Sequence, residues 1–237
     1  MELNKLSEKA GGTEIKQNDH KLKEVYFKYL RVFVDSSLNW SPHIDYVCKR
    51  TYPKLRLLNR LSCFLWSGVL IKIYKATILP ILDYASIVWM YCPNKLSNKL
   101  ERLQYQALRI IFCKNRRTCS QVLRDQVKIL ILFNRRRLFR FITTFKIVND
   151  INCPKQLQDK LIKRFSIRSR SLRDDSLLNV PNAKSGFGEK TFEFAAVRDW
   201  NSLPRDIRTI TNLSTFKSKL FEFLLQEDHN QHKCSLA

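Results

Sequence analysis

The chain has 237 residues, enough for one large or two small domains, and 44% are hydrophobic, which supports a packed core and excludes wholesale disorder. Five glycines and seven prolines are too few for a collagen-like, linker-rich or turn-rich architecture and favour helices. Lys and Arg number 43 against 21 Asp and Glu, a formal charge of +22 that goes far beyond what solubility requires. An anionic partner is therefore expected: nucleic acid, an anionic membrane or an acidic protein.

The seven cysteines are odd in number and form no CxxC pair, so they read as free thiols of a reducing compartment. The longest apolar stretch, Ala76 to Cys92, is interrupted by Pro80 and Asp83 and is shorter than the ~20 residues of a bilayer span. The expectation is an intracellular protein of the nucleus or cytoplasm, with no membrane segment.

Residues 1–20 are polar and unpatterned and read as a disordered lead-in. Within 21–35, the aromatic and β-branched run from Val25 to Val34 suggests a strand pair. Ser41-Pro42 then marks a helix start, with Ser at the cap and Pro at the first helical position. Ile44, Val47, Cys48, Thr51, Leu55 and Leu58 recur at helical spacing, and Lys49, Arg56 and Arg60 lie on the opposite arc. A second, nearly all-apolar helix is expected from about Ser67 to Tyr91, bent at Pro80. A third, from Ser97 to Phe112, carries Leu100, Leu103, Ala107 and Ile111, beside a row of Lys95, Arg102 and Arg109 repeating every seven residues.

Cys119 to Asn149 reads as two helices or one broken near Phe133-Asn134. Phe141 and Phe145 face inward there, and Arg136 and Arg140 point away, one turn apart. The block 36–154 is thus expected to be one helical domain. Residues 155–176 are polar and basic and read as a linker. In 177–225 the period shifts to two: Leu178 and Val180 precede a Gly186-Phe187-Gly188 turn, and Thr191 to Phe194 alternates, a hairpin signal. A short helix at Val197 to Trp200 and an amphipathic helix starting at Asn212 or Ser214 complete this α+β region. Residues 226–237 read as a polar tail. The fold class expected is mainly α, with an N-terminal β-hairpin, a helical bundle and a small C-terminal α+β region.

Phe27 to Asp35 with Leu38-Asn39-Trp40 and His43-Ile44 resembles a signature of non-LTR (LINE-type, jockey-like) retrotransposon reverse transcriptases. Three further blocks resemble that family in the same order: Leu79-Pro80 through Leu82-Asp83-Tyr84-Ala85 to Trp89, Leu100-Glu101-Arg102-Leu103-Gln104, and Arg198-Asp199-Trp200-Asn201-Ser202-Leu203-Pro204. Together they span about residues 21 to 225. The resemblance implies the edge of a palm, a thumb and a C-terminal region. It makes 21–35 a palm-edge, primer-grip-like hairpin and assigns Tyr29, Leu30, Arg31 and Val32 to the grip. The family has glycine where Arg31 stands; if that position needs the backbone freedom of glycine, the hairpin is strained or altered here.

In that family the catalytic carboxylates, which hold two metal ions, and the endonuclease precede the first of these blocks. Asp174-Asp175, the one Asp-Asp pair, lies far downstream in a basic polar stretch and reads as two solvated acids. His229, His232 and Cys234 lack the CxxC half of a zinc knuckle. No metal, cofactor or catalytic residue is therefore expected, and any palm, fingers and endonuclease would act from upstream or in trans. The rows Lys49/Arg56/Arg60, Lys95/Arg102/Arg109 and Arg136/Arg140 contain almost no acids, whereas an ordinary solvated face mixes signs. They are the candidate contacts to an RNA or DNA duplex backbone, held without sequence preference. Trp40, Tyr52 and Trp66 could stack on bases but are weighed chiefly as core. The alternative reading is a degenerate or repurposed element product that serves only as an interaction or structural module.

Overall fold

The computed structural model describes residues 26–115, 117–151, 153–161, 176–182, 186 and 188–234, the side chains of 190 and 231–234 excepted. The lead-in 1–20, most of the basic linker and Asp174-Asp175 lie outside the described residues. Contacts divide the chain into two compact units, 1–128 and 129–237.

The first unit begins with an antiparallel hairpin, β1 (Tyr26–Tyr29) and β2 (Val32–Asp35), in which Tyr26 faces Asp35 and Tyr29 faces Val32. Its two-residue turn puts Leu30 at φ 45° and Arg31 at φ 65°. A turn of that kind needs positive φ at both central residues, because its backbone twist then matches the twist of the strands. The glycine-like conformation is thus kept at Arg31 with a side chain that disfavours it. Behind β2, buried Asp35 accepts the Ser37 hydroxyl at 2.7 Å and the backbone N–H groups of Asn39 and Trp40 at 2.9 Å. Burial pushes its carboxyl up, but these donors together outweigh burial and hold it below the ordinary value.

Asp35 thereby fastens the chain at its entry to α1 (Ser41–Leu61). Here Ser41 is already helical and the cap is Trp40, at φ 63°. The inward row is the one read from spacing: Ile44, Val47, Cys48, Thr51, Leu55 and Leu58 are all buried. The single apolar helix expected next is instead α2 (Ser67–Thr77) and a one-turn α3 (Leu79–Asp83). Pro80 starts the new turn, and Tyr84 to Tyr91 leave the helix for turns, with Ala85 at φ 50°. Trp89 is still fully buried, and its indole N–H donates to the Tyr84 carbonyl at 3.0 Å. Helix α4 (Asn94–Ile111) packs along α1 and buries Leu100, Leu103, Ala107, Leu108 and Ile111. Helix α5 (Ser120–Val127) ends at Lys128, whose φ of 51° is a left-handed cap. The break expected near Phe133-Asn134 thus falls at Lys128, five residues before Phe133.

The second unit holds α6 (Leu132–Val148), a short α7 (Lys155–Gln158), a 3-10 turn (Gly188–Lys190), α8 (Phe192–Ser202), one-turn α9 (Arg205–Arg208) and α10 (Leu213–Cys234). Phe141 and Phe145 share a core with Ala196, Trp200, Phe216 and Leu220, and the Phe145 and Phe216 rings stack at 4.3 Å. Because α6 closes this core with α8 and α10, the unit boundary falls inside the expected 36–154 domain, not at its end.

Two expectations for the C-terminal region are corrected. Residues 191–194, expected as a hairpin strand, instead open α8: the Thr191 hydroxyl caps it by accepting the Phe194 N–H, and Phe192, Ala196 and Trp200 recur every four residues toward the core. Among the described residues the only paired strands are β1 and β2. Nor are residues 226–234 of the expected tail loose. They continue α10, and buried Asp228 accepts the N–H of Ile131 at 3.0 Å and the amide of Asn134, capping the N-terminus of α6. The architecture is mainly helical after an N-terminal hairpin, as composition and pattern implied.

A candidate nucleic-acid interface

Helices α1 and α4 pack against each other, and two adjoining depressions form a groove lined by both. At its upper end, a depression of about 670 Å³ is lined by Ser41, Asp45 and Tyr52 of α1 with Lys95, Lys99 and Arg102 of α4. At its lower end, one of about 530 Å³ is lined by Asn59 and Ser62 with Arg102, Arg109 and Lys114. Arg102 and Gln106 line both.

The α4 wall follows from helical geometry. Lys95, Lys99, Arg102, Gln106 and Arg109 advance by alternating steps of four and three, which keeps them on one face. Four of these five are cations. Reading only the seven-residue repeat finds Lys95, Arg102 and Arg109 and misses Lys99 and Gln106; the i, i+4, i+7 pattern finds all five. On α1, Asp45 and Tyr52 line the groove, and Lys49 and Arg56, one turn on from each, share that side. Lys49, Arg56, Arg60, Lys95 and Arg102 are exposed and Arg109 is half-buried. Arg109 Nε is buried without a hydrogen-bond partner, a donor that the protein leaves unused.

Asp45 is the one carboxylate among the residues lining the groove, and it takes Lys99 Nζ at 2.6 Å. The bond from Asp45 raises the Lys99 pKa, outweighing partial burial, so the amine stays charged. Both side chains are about half exposed, which makes the pair weak and open to competition from a stronger anion.

Arg136 and Arg140, expected to point away with the other cations, are buried at 5% and 7% exposure in the second unit. The face of α6 that carries them is covered by neighbouring helices. There Arg140 Nε donates to Asp199 at 2.9 Å, and Arg137 Nη1 pairs with Glu227 at 2.5 Å. Buried charges of this kind are paired for solvation, not presented to a ligand. Asp199 belongs to the last of the motif blocks, and its neighbours are structural too. The Trp200 indole N–H donates to the Ser176 carbonyl at 3.0 Å, and the Asn201 amide exchanges two bonds of 2.9 Å with the backbone of Leu178.

At the hairpin tip, Tyr29, Leu30 and Arg31 are exposed and Val32 is buried. The Tyr84 hydroxyl donates to the Leu30 carbonyl at 2.7 Å, tying the tip to the chain after α3. Of the three aromatics considered for stacking, Trp40 is core, Tyr52 opens into the groove and Trp66 is exposed. Among the described residues no group of three His, Cys, Asp or Glu could hold a metal ion, and no helix is long and apolar enough to cross a membrane. No protein-family model, curated protein or solved structure matches the chain.

Proposed function

We propose that the chain binds the sugar–phosphate backbone of a template–primer duplex along the α1–α4 groove. In this reading it is the thumb-bearing C-terminal part of a non-LTR RNA-directed DNA polymerase, and it holds nucleic acid while bond-making belongs to the palm of such an enzyme. One observation carries the reading: a single groove gathers Lys95, Lys99, Arg102 and Arg109 on one wall, with Lys49 and Arg56 on the flank of the other. Cations concentrated on one seam displace counterions from a polyanion, an attraction that is independent of base sequence and steeply sensitive to salt. The motif blocks quoted above support the polymerase reading. A duplex-binding role supports a location in the nucleus or cytoplasm.

The test is a fluorescence-anisotropy titration of an RNA–DNA duplex. Affinity is expected to fall about 1000-fold between 50 and 200 mM salt, as for about six phosphate contacts, with little difference between unrelated sequences. A flat salt response, or no binding at low salt, overturns the proposal.

A further inference from the structure

Two aromatic side chains stand open to solvent where the groove ends. Phe64 is 84% exposed and Trp66 is 69% exposed, in the turn that joins α1 to α2. The turn leaves α1 directly after Ser62, which lines the lower depression with Arg109 and Lys114. It is tightly made: the N–H groups of Phe64 and Leu65 donate to the Leu61 carbonyl at 3.0 and 2.9 Å, and those of Val69 and Leu70 close on the Trp66 carbonyl. The Trp66 ring is also seated. A Cβ added at Gly68 would lie 1.8 Å from Trp66 Cζ3 and 2.4 Å from Cη2, so the indole occupies the space that only glycine leaves there.

Large apolar rings on a rigid tip are costly in water unless something covers them. The surrounding charge says what. Residues 46–82 hold seven lysines and arginines and no acid, and residues 102–124 hold no acid either. The cover must therefore combine an apolar face with negative charge.

We propose that Phe64 and Trp66 form a stacking platform for unpaired nucleobases at the lower end of the groove. The protein then prefers a duplex that continues into a single strand over a blunt one. This rests on the groove's binding a duplex backbone. Bases present a π-face whatever their identity, and their phosphates match the charge of Arg60, four residues before Phe64, and of Lys114, which lines the lower depression with Ser62.

The experiment compares a blunt RNA–DNA duplex with the same duplex bearing a short single-stranded extension, for the wild type and two variants. One is Phe64→Ala/Trp66→Ala. The other is Gly68→Ala, which keeps both rings but takes the seat from the indole. Wild type is expected to bind the extended duplex about tenfold more tightly, with quenched tryptophan fluorescence. The double variant loses that preference while its blunt-duplex affinity and salt slope stay unchanged, and Gly68→Ala loses part of it. Circular dichroism checks that the folds are the same. Equal wild-type affinity for both duplexes overturns the platform and leaves the groove reading standing. Absence of binding to either overturns both. Binding of anionic phospholipid vesicles that is lost in the double variant, without any preference for the extension, overturns the platform in favour of a lipid surface.

Discussion

Acidification is expected to destabilise the first unit through His43. This side chain lies in the first turn of α1 at 1% exposure, and its Nδ1 accepts the Phe33 N–H at 3.4 Å. That bond requires the neutral tautomer protonated at Nε2, an atom buried without a hydrogen-bond partner beside the Trp89 ring. Burial lowers the pKa from 6.5 to about 4. Between those values the unfolded chain takes up a proton that the folded chain refuses, so stability falls as pH falls through the window and is level above it. At about 1.4 kcal/mol per pKa unit, the loss is about 2 kcal/mol at pH 5 and about 3 kcal/mol once both states are protonated. Asp35, whose depressed pKa acts in the same direction, contributes only below its ordinary value of 3.8. Urea denaturation at pH 7, 6 and 5 measures the effect, with the buried Trp40 and Trp89 as fluorescent reporters. The control is His43→Asn, whose amide oxygen can still accept from Phe33 but does not titrate. The variant is expected to be less stable at pH 7 and to lose the dependence between pH 7 and 5. Parallel pH profiles for the two proteins, or an imidazole resonance of His43 titrating near 6.5, would refute the reasoning.

Replacing Leu30-Arg31 by Asn-Gly relieves two left-handed residues at an exposed turn. It is expected to stabilise the first unit by about 1 kcal/mol in the same urea assay, after glycine's entropy is discounted; a loss would show the turn to be misassigned. Asp199→Ala removes the carboxylate that buried Arg140 and nearby Arg137 share, and is expected to cost the second unit about 3–5 kcal/mol by thermal or urea unfolding. Asp45→Asn releases Lys99 from its pair in the groove. Duplex affinity at low salt is expected to rise in the same anisotropy titration, and an unchanged affinity would show that the pair does not compete with phosphate.

Much of this was readable from periodicity. The six inward residues of α1 and the Phe141/Phe145 pair of α6 lie where helical spacing put them, because each row faces the core of its own unit. Reading failed where tertiary context outweighed a local pattern. Phe192-Glu193-Phe194 alternates over only three residues, too few to prevail over a Thr191 cap and a row of Phe192, Ala196 and Trp200 that a core was ready to receive. Arg136 and Arg140 look like a solvent face on their own helix, and only the packing of α8, which brings Asp199 to Arg140, and of α10 makes that helix interior. Asp228 gave no signal, since its partner, the start of α6, lies 97 residues away in sequence. Within the groove, the heptad row on α4 was legible. Its pairing with α1 was not, because packing between helices decides which faces form a common seam.

The most direct test is the salt dependence of duplex binding in a variant whose groove wall is neutral. With Lys95, Arg102 and Arg109 changed to Gln, the logarithmic slope is expected to fall from about −5 to about −3, and affinity at low salt to drop steeply, for every duplex sequence alike. Neutralising Arg136 and Arg140 instead is expected to compromise folding of the second unit. An unchanged slope in the triple variant, with its fold intact by circular dichroism, would contradict the assignment of this groove to a phosphate backbone.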